Sequence, residues 1–333
     1  MKHLFLIHSH TIFLTSIGVI GKLNLKKEDV VFIYSRHYKN NLNYSYKCFD
    51  FSKEIETSFH IMLSFSRKKF TVNRKRRNKI VNFFDDFVAD ELGDSYYLYV
   101  PHLQSPSFQI LATNSKCKEC FFVQEGGRIM YDCLNHHNLW YFILYNRLCL
   151  HDEKRFWKCY NWFPAPNDPY NRPVTVFAFD KEYFGNEPLQ IIMVHWPNIK
   201  LEIELDAQYP IFVLEGAVEL GQVEKELYFK STDNLITACG KVKNYIKFHP
   251  IQSEEIKLVY IKMFEDKGMK VKELPMDIPF ELIVSSLTNL TICGFGSSLL
   301  FYAKTFGHKV ISHEKDLLKS YRYRNYCRNT SRF

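Results

Sequence analysis

The chain has 333 residues, of which 46% are hydrophobic and 16% aromatic, and its formal net charge is +8. This length predicts two domains, and this composition excludes a largely disordered chain. The nine cysteines show no disulfide framework, which indicates free or buried thiols. Cys117 and Cys120 form the single CxxC, in a predicted loop before a strand, and without a second pair nearby they predict no metal site.

The first residues are apolar but are interrupted by His8, Ser9, His10 and Thr11, and no small-residue cleavage site follows. The run falls short of a membrane span. We expect a buried strand over 4–8, a helix that ends near 18–21, and a cytoplasmic protein.

Short runs rich in β-branched and aromatic residues predict strands along the rest of the chain. They cover 30–34, 96–100, 120–123, 174–179, 189–194, 211–214, 245–248, 256–260, 290–293 and 309–312. Helical patterns lie between them, at 79–92, 135–148, 223–237, 279–287 and 297–306. This alternation is typical of parallel, doubly wound sheets, with a loop-rich passage at 161–188 and a domain boundary near 206–210.

A carboxylate follows one of these strands in the first half of the chain. Glu125 follows the apolar run 121–123 after one residue, Gln124, and precedes Gly126 and Gly127, which let a substrate approach the backbone closely. Such a carboxylate can act as a general base, and the alternative is a turn residue that caps the next helix. Glu215-Gly216 is a competing pair, which we assign to loop structure or nucleotide contact.

Three further groups follow predicted strands or begin helices in the second half. His249 ends a strand before Pro250, and an imidazole there can donate to a phosphate. Ser297 and Ser298 follow Gly296 at a predicted helix start, where hydroxyls and amides either cap the helix or bind phosphate.

Glu281 begins another predicted helix after Pro279. Its carboxylate either interacts with the helix dipole or bridges ribose hydroxyls. The dinucleotide fingerprint GxGxxG is absent because Leu299 stands at its third glycine position, and no P-loop is present.

In this order the motifs resemble those of the bacterial sialyltransferases of the GT-B type, which carry an Asp/Glu-Asp/Glu-Gly, a His-Pro and a Ser-Ser/Thr motif. The first reads Gln124-Glu125-Gly126 here, with an amide at the first acidic position, and the others are His249-Pro250 and Ser297-Ser298. The likeness covers roughly residues 205–310 well, and the first half only around 121–128 and the opening strand.

The resemblance implies an α/β protein with the GT-B fold, in which two Rossmann-like doubly wound parallel-sheet domains face a central cleft. An acceptor-binding domain would cover 1–206, a CMP-sugar-binding domain 207–315, and a basic, aromatic tail or helix 316–333. The roles implied are base for Glu125, acid or phosphate partner for His249, and ribose contact for Glu281. Pro250, Gly296, Ser297 and Ser298 would complete the nucleotide site.

The activity implied is inverting, metal-independent transfer of sialic acid from CMP-sialic acid to a hydroxyl of a bacterial surface glycan (lipooligosaccharide, O-antigen or capsule), with no cofactor besides this donor. Two alternatives stay open. One is another GT-B transferase that uses CMP-Kdo or a nucleotide-diphosphate sugar. The other is a non-catalytic glycan- or nucleotide-binding relative, an alternative that stays open because Gln124 stands where the motif has an acid.

Basic residues cluster at 67–69 and 74–77 and again in the tail, where Arg322, Arg324, Arg328 and Arg332 alternate with aromatic residues. A basic face favours anionic partners, and no nucleic-acid recognition module accompanies it. The alternatives are contact with an anionic membrane or an anionic glycan, a solvated helix face and, for the tail, a terminal helix that packs on the N-terminal domain.

Overall fold

The computed structural model describes residues 1–39, 42, 44–63, 70–103, 105–126, 159–160, 163–164, 174–181, 189–199, 201 and 203–329. The chain divides into two compact units, Met1–Pro197 and Asn198–Phe333. The predicted helix over 135–148, most of the loop-rich passage, Gly127 and the basic residues 67–69 lie outside the described residues. No helix in the described part of the chain is long and apolar enough to span a membrane.

The first unit is built on a seven-stranded sheet in the order β3-β2-β1-β4-β5-β8-β9, and every pair in it is parallel. Its strands are β1 (Lys2–Ile7), β2 (Val30–Tyr34), β3 (Lys47–Asp50), β4 (Tyr96–Val100), β5 (Cys117–Val123), β8 (Thr175–Ala178) and β9 (Gln190–Met193). A separate antiparallel pair joins β6 (Cys159–Tyr160) to β7 (Phe163–Pro164).

Helices connect β1 to β2, β3 to β4 and β4 to β5, which are crossovers between parallel strands. They are α1 (His10–Lys22), α2 (Ser52–Leu63), α3 (Phe70–Glu91) and α4 (Pro106–Ala112). Ser9 caps α1, because its side chain accepts a hydrogen bond from the amide of Ile12 at 3.4 Å. β1 and β4 are almost continuously apolar because they lie in the middle of the sheet, with both faces buried.

The second unit holds a five-stranded sheet in the order β12-β11-β10-β13-β14, again with all pairs parallel. Its strands are β10 (Ile211–Leu214), β11 (Lys243–Phe248), β12 (Lys270–Glu273), β13 (Thr291–Gly294) and β14 (Lys309–Ser312). Its helices are α5 (Lys225–Cys239), α6 (Glu254–Glu265), α7 (Phe280–Ser286), α8 (Ser298–Thr305), α9 (Glu314–Leu317) and α10 (Tyr321–Asn329).

The structure confirms the predicted pair of doubly wound parallel sheets and corrects two local expectations. The strand expected over 256–260 is part of α6, because Ser253 caps that helix and Tyr260 and Phe264, four residues apart, are both buried in the core. Cys117 and Cys120 lie on β5 and not in a loop before it, and both thiols are buried.

Candidate active site

Four polar side chains meet where neighbouring strands of the first sheet end. His8 follows β1, Arg36 follows β2, His102 follows β4 and Glu125 follows β5. These strands are adjacent in the order β2-β1-β4-β5 and run parallel, so their carboxyl ends lie along one edge. This is the edge at which open α/β sheets bind ligands.

The carboxylate of Glu125 is surrounded by cationic or potentially cationic groups. His8 Nε2 lies 3.0 Å from Glu125 Oε1, and Arg36 Nη1 lies 3.9 Å from the same oxygen. Burial raises the pKa of Glu125, but the hydrogen bond from His8 and the charges of His102, His8 and Arg36 outweigh burial, so the pKa falls to about 2. Glu125 is therefore ionised throughout the physiological pH range.

His102 is the deepest member of this group. Its side chain is buried and tilted against Phe108, with 5.2 Å between the ring centroids. Burial lowers the pKa of His102 to about 4, although the charge of Glu125 acts in the opposite direction. The ring is therefore neutral near pH 7, and its surroundings fix it in place.

Gln124 fills the position where the resembled motif has its first acid. Its amide nitrogen donates to the carbonyl of Gly126 at 2.8 Å, and its Oε1 accepts from the backbone amides of Phe179 and Asp180, both at 3.1 Å. A carboxylate could accept the last two bonds but could not donate the first. The amide thus joins the turn that carries Glu125 to the end of β8.

In the second unit, His249 lies at the carboxyl end of β11 and its side chain is exposed. The amide of Ile251 donates to Nδ1 at 3.2 Å, so a neutral ring carries its proton on Nε2. Partial desolvation of the imidazole by its neighbours lowers the pKa of His249, and the charge of Glu219 partly opposes this effect. The imidazole is thereby prepared to donate a hydrogen bond from Nε2 while uncharged.

The turn that starts at His249-Pro250 is hydrogen-bonded to the end of the neighbouring strand β10. Buried Gln252 accepts from the amide of His249 at 2.8 Å and donates to the carbonyl of Glu215 at 3.3 Å. Gly216 is required here, because a Cβ would lie 2.3 Å from Ile251 Cγ2 and 3.0 Å from His249 Nδ1. Glu215-Gly216 thus has a structural part in holding His249, while Pro250 is exposed.

Ser297 and Ser298 lie after β13, at the start of α8. Ser297 is the cap of this helix, and its Oγ accepts from the amide of Leu299 at 3.2 Å, which leaves its hydroxyl hydrogen for donation to a ligand. Gly296 is buried against α9 and α10, where a Cβ would lie 2.3 Å from Glu314 Oε1 and 2.2 Å from the hydroxyl of Tyr323. Its lack of a side chain therefore makes room for protein atoms.

Glu281 lies in the first turn of α7. The segment before α7 is held by Lys247, whose Nζ donates to the carbonyls of Pro275 at 2.5 Å and Ile278 at 2.8 Å. Lys247 is buried, and burial lowers its pKa against the opposing charges of Glu281, Asp277 and Glu273. It has a structural role, and its Nζ is engaged by the backbone.

Glu125 therefore belongs to the first unit, and the other six predicted site residues belong to the second, where His249, Gly296, Ser297 and Ser298 follow strands of one sheet edge. The sequence did not indicate the groups that hold Glu125 and His249. These are His8, Arg36, His102, Gln252 and Gly216. A polar residue one or two positions after an apolar strand was the available signal for His8 and His102.

Among solved structures, the spinosyn rhamnosyltransferase SpnG complexed with thymidine diphosphate is similar over 99% of this chain and 85% of its own, at 8% identity and a TM-score of 0.53. A 2,6-sialyltransferase from Photobacterium sp. JT-ISH-224, in a complex with CMP and lactose, is 14% identical, with 98% of this chain and 76% of its own covered and a TM-score of 0.49. The UDP-GlcNAc 2-epimerase of Methanocaldococcus jannaschii reaches 13% identity, coverage of 94% and 83%, and a TM-score of 0.48.

No protein-family model matches the sequence, and no curated protein does. The likeness to the rhamnosyltransferase extends over both units and confirms the predicted GT-B fold, with its two Rossmann-like parallel-sheet domains. At 8% identity this likeness concerns the fold alone.

Proposed function

We propose that the protein is an inverting sialyltransferase that moves sialic acid from CMP-sialic acid to a hydroxyl of a bacterial surface glycan. The observation that carries this proposal is the ionised, largely buried carboxylate of Glu125 at the carboxyl edge of the first sheet. It supports a base at the position where the resembled transferases have theirs.

In the proposed reaction, the acceptor hydroxyl attacks the anomeric carbon as the bond to the CMP phosphate breaks. Glu125 accepts the hydroxyl proton, and His8 and Arg36 hold the carboxylate. With a pKa of about 2 it is a weak base, so we expect the proton to move late, when the attacking oxygen has become acidic through bonding to the sugar.

The second unit would receive the departing CMP. His249, with its proton on Nε2, donates to a phosphate oxygen, and the hydroxyls of Ser297 and Ser298 at the start of α8 contribute further donors. Glu281 accepts from the ribose hydroxyls, and Pro250 and Gly296 shape the two turns. No step in this scheme requires a metal ion, so activity is expected to survive EDTA.

A nucleotide-diphosphate sugar is the second candidate donor, because the rhamnosyltransferase SpnG, which matches over both units, was solved with thymidine diphosphate. The carboxylates of this unit argue for the monophosphate. Glu215 directly follows β10, Glu281 begins α7 and Glu314 follows β14, whereas Lys247 is engaged by backbone carbonyls. A diphosphate would bring more negative charge to a surface that already carries several carboxylates.

The test is incubation of the purified protein with CMP-sialic acid and a panel of galactosides and sialosides, with products read by mass spectrometry. Sialylated product and CMP are expected, and Glu125→Gln should lower the rate by at least about a hundredfold while CMP still binds. CMP-Kdo and nucleotide-diphosphate sugars serve as parallel donors. Turnover with one of these alone would replace the donor assignment, and an intact donor in every mixture would indicate a binding protein.

We also propose that the protein acts in the cytoplasm, in peripheral contact with anionic lipid through the exposed cations near α10. Lys319, Tyr321 and Arg322 are exposed there. Co-sedimentation with anionic vesicles should fall with added salt and with Lys319→Gln/Arg322→Gln. Equal sedimentation of this variant and the wild type would exclude α10 as the contact.

A further inference from the structure

The first-unit cluster that contains the proposed base also has the donor set of a metal site. His8, His102 and Glu125 each offer one metal-ligating atom, and these atoms all lie within 4.8 Å of one another. We propose that they form a binding site for a zinc-class divalent cation, and that an occupied site blocks Glu125 and inhibits the enzyme. Cation binding stands independently of the transferase assignment, and only the inhibition rests on the proposed function.

The spacing of the donors suits a small cation. In tetrahedral zinc sites with bonds of about 2.0–2.2 Å, neighbouring ligand atoms lie about 3.4 Å apart. His8 Nε2 and Glu125 Oε1, at 3.0 Å, are already near that separation. Even a pair at the 4.8 Å limit needs to close by only about 1.4 Å, which side-chain rotation can supply.

The backbone under the donors is well fixed. The three residues follow β1, β4 and β5, which are neighbours in the sheet, and the side chains of His8 and Glu125 are only 4% and 19% exposed. A site on such rigid supports needs little reorganisation when it binds. Water would occupy the fourth position, as in zinc sites with two histidines and one carboxylate.

The chemistry of the donors selects the cation. Imidazole nitrogens suit zinc, cobalt, nickel and copper, whereas magnesium and calcium prefer oxygen ligands. The CxxC cysteines do not offer an equivalent site, because three residues along a strand correspond to about 10 Å.

Arg36 competes with the cation for Glu125. Its guanidinium lies 3.9 Å from Glu125 Oε1, but its side chain is 60% exposed and can turn into solvent. Removal of this charge should therefore strengthen cation binding, by about fivefold if the interaction has the strength of unit charges 4 Å apart in water. A structural cluster without a cation site would not respond in this direction.

The experiment uses the full chain, stripped with EDTA and titrated with Co²⁺, whose visible absorption reports four- or five-coordinate nitrogen and oxygen ligation. We expect saturable visible bands that Zn²⁺ abolishes and Mg²⁺ does not. His8→Gln and His102→Gln should each weaken Co²⁺ binding at least as much as loss of an outer-shell partner does, about 10- to 100-fold. Circular dichroism checks that both variants are folded.

His313→Gln is the matched control, because His313 also pairs with a carboxylate, that of Asp316 at 3.5 Å, but lies in the other unit. It should leave the titration unchanged, and Cys117→Ser/Cys120→Ser should do the same. Absence of the Co²⁺ bands, their retention in both His8→Gln and His102→Gln, or weaker binding in Arg36→Gln would overturn the site. If the bands form and Zn²⁺ leaves an active enzyme uninhibited, the inhibitory role is wrong while the site stands.

Discussion

Glu125 shows how strongly a few neighbours can set the state of one carboxyl group. Burial alone would raise the pKa of Glu125, yet His8 and Arg36 at 3.0 and 3.9 Å reverse the direction. In the proposed reaction, the low pKa keeps this base ionised at all physiological pH values, but it also makes the base weak. A weak base is sufficient when the attacking hydroxyl becomes acidic in the transition state.

The lowered pKa of Glu125 predicts a pH dependence of stability. A carboxyl whose folded-state pKa is about 2, below its ordinary 4.5, contributes stability above pH 4.5, and this contribution is lost as the pH falls toward 2. The difference in free energy of unfolding between wild type and Glu125→Gln should therefore be constant above about pH 5 and should decline below it. Urea unfolding from pH 3 to pH 7 measures this difference.

All four tryptophans lie in the first unit, so their fluorescence follows the unit that contains Glu125. In a His8→Ala background, the difference in free energy of unfolding should decline less at low pH, because His8 is a main cause of the lowered pKa of Glu125. A difference that does not change between pH 3 and pH 7 would contradict the assigned ionisation.

Gln124→Glu restores the acid of the resembled motif and should destabilise the first unit. The new carboxylate would face the carbonyl of Gly126, which Gln124 now reaches as a donor at 2.8 Å, inside a fully buried site. We expect a loss of about 1–3 kcal/mol, the usual cost of an unsatisfied buried polar group. Lys118→Glu is the control, because Lys118 is exposed on β5, the strand that precedes Gln124, and it should change stability by less than about 0.5 kcal/mol.

The sequence indicated Glu125 and His249 because each stands within two residues of the end of a predicted strand, which is a local pattern. It did not indicate that His8 and His102 would meet Glu125, because these residues are brought together by the order of strands in the sheet. The sequence also did not indicate the structural role of Gln124, because its hydrogen-bond partners Phe179 and Asp180 follow a different strand.

At the scale of elements, the loop between β12 and α7 depends on one lysine. Lys247→Met would leave the carbonyls of Pro275 and Ile278 without their donor and loosen the segment that leads to Glu281. We expect CMP affinity to fall about tenfold, close to the loss of one hydrogen bond to a charged group, with the fold retained. Calorimetric titration with CMP measures this effect, and Lys243→Met, exposed at the start of the same strand, should bind normally.

The turn after β10 makes a second element-scale prediction. Gly216→Ala places a methyl group 2.3 Å from Ile251 Cγ2, so the His249-Pro250 turn must move. CMP binding should weaken at least about tenfold, because a displaced His249 could no longer make the proposed hydrogen bond to the phosphate. Gly216→Ala/Ile251→Ala should recover part of the affinity, and no recovery would mean that the glycine acts in another way.

Strands that lie inside a sheet were predictable almost to the residue, as β2, β4 and β10 show, because burial on both faces makes them continuously apolar. The edge strands β3 and β12 were missed, since they are short and largely polar. The error over 256–260 arose because the apolar residues of that stretch also suit a strand, whereas the cap Ser253 and the two glutamates that follow it mark a helix start.

For the whole molecule, the basic C-terminal stretch is a structural part of the second unit. In α10, Tyr323 and Cys327 are fully buried in that unit's core, and the hydroxyl of Tyr323 donates to Glu314 at 2.9 Å. Tyr323→Ala should cost about 3–5 kcal/mol and speed hydrogen exchange in β10 and β13, whereas Tyr323→Phe should cost about 1 kcal/mol. Wild-type exchange in Tyr323→Ala would mean that α10 is dispensable for folding.

The strand order of the first sheet also bears on biosynthesis. β1 pairs on one side with β4, and Lys2 lies opposite Tyr96 in that register. At translation rates of about 5–20 residues per second, β4 leaves the ribosome roughly 5–20 s after β1. During that interval Leu4 and Leu6, fully buried in the finished protein, lack half of their sheet. The nascent chain therefore presents an unpaired apolar strand for seconds, and until β4 pairs with β1 this exposed strand is open to aggregation.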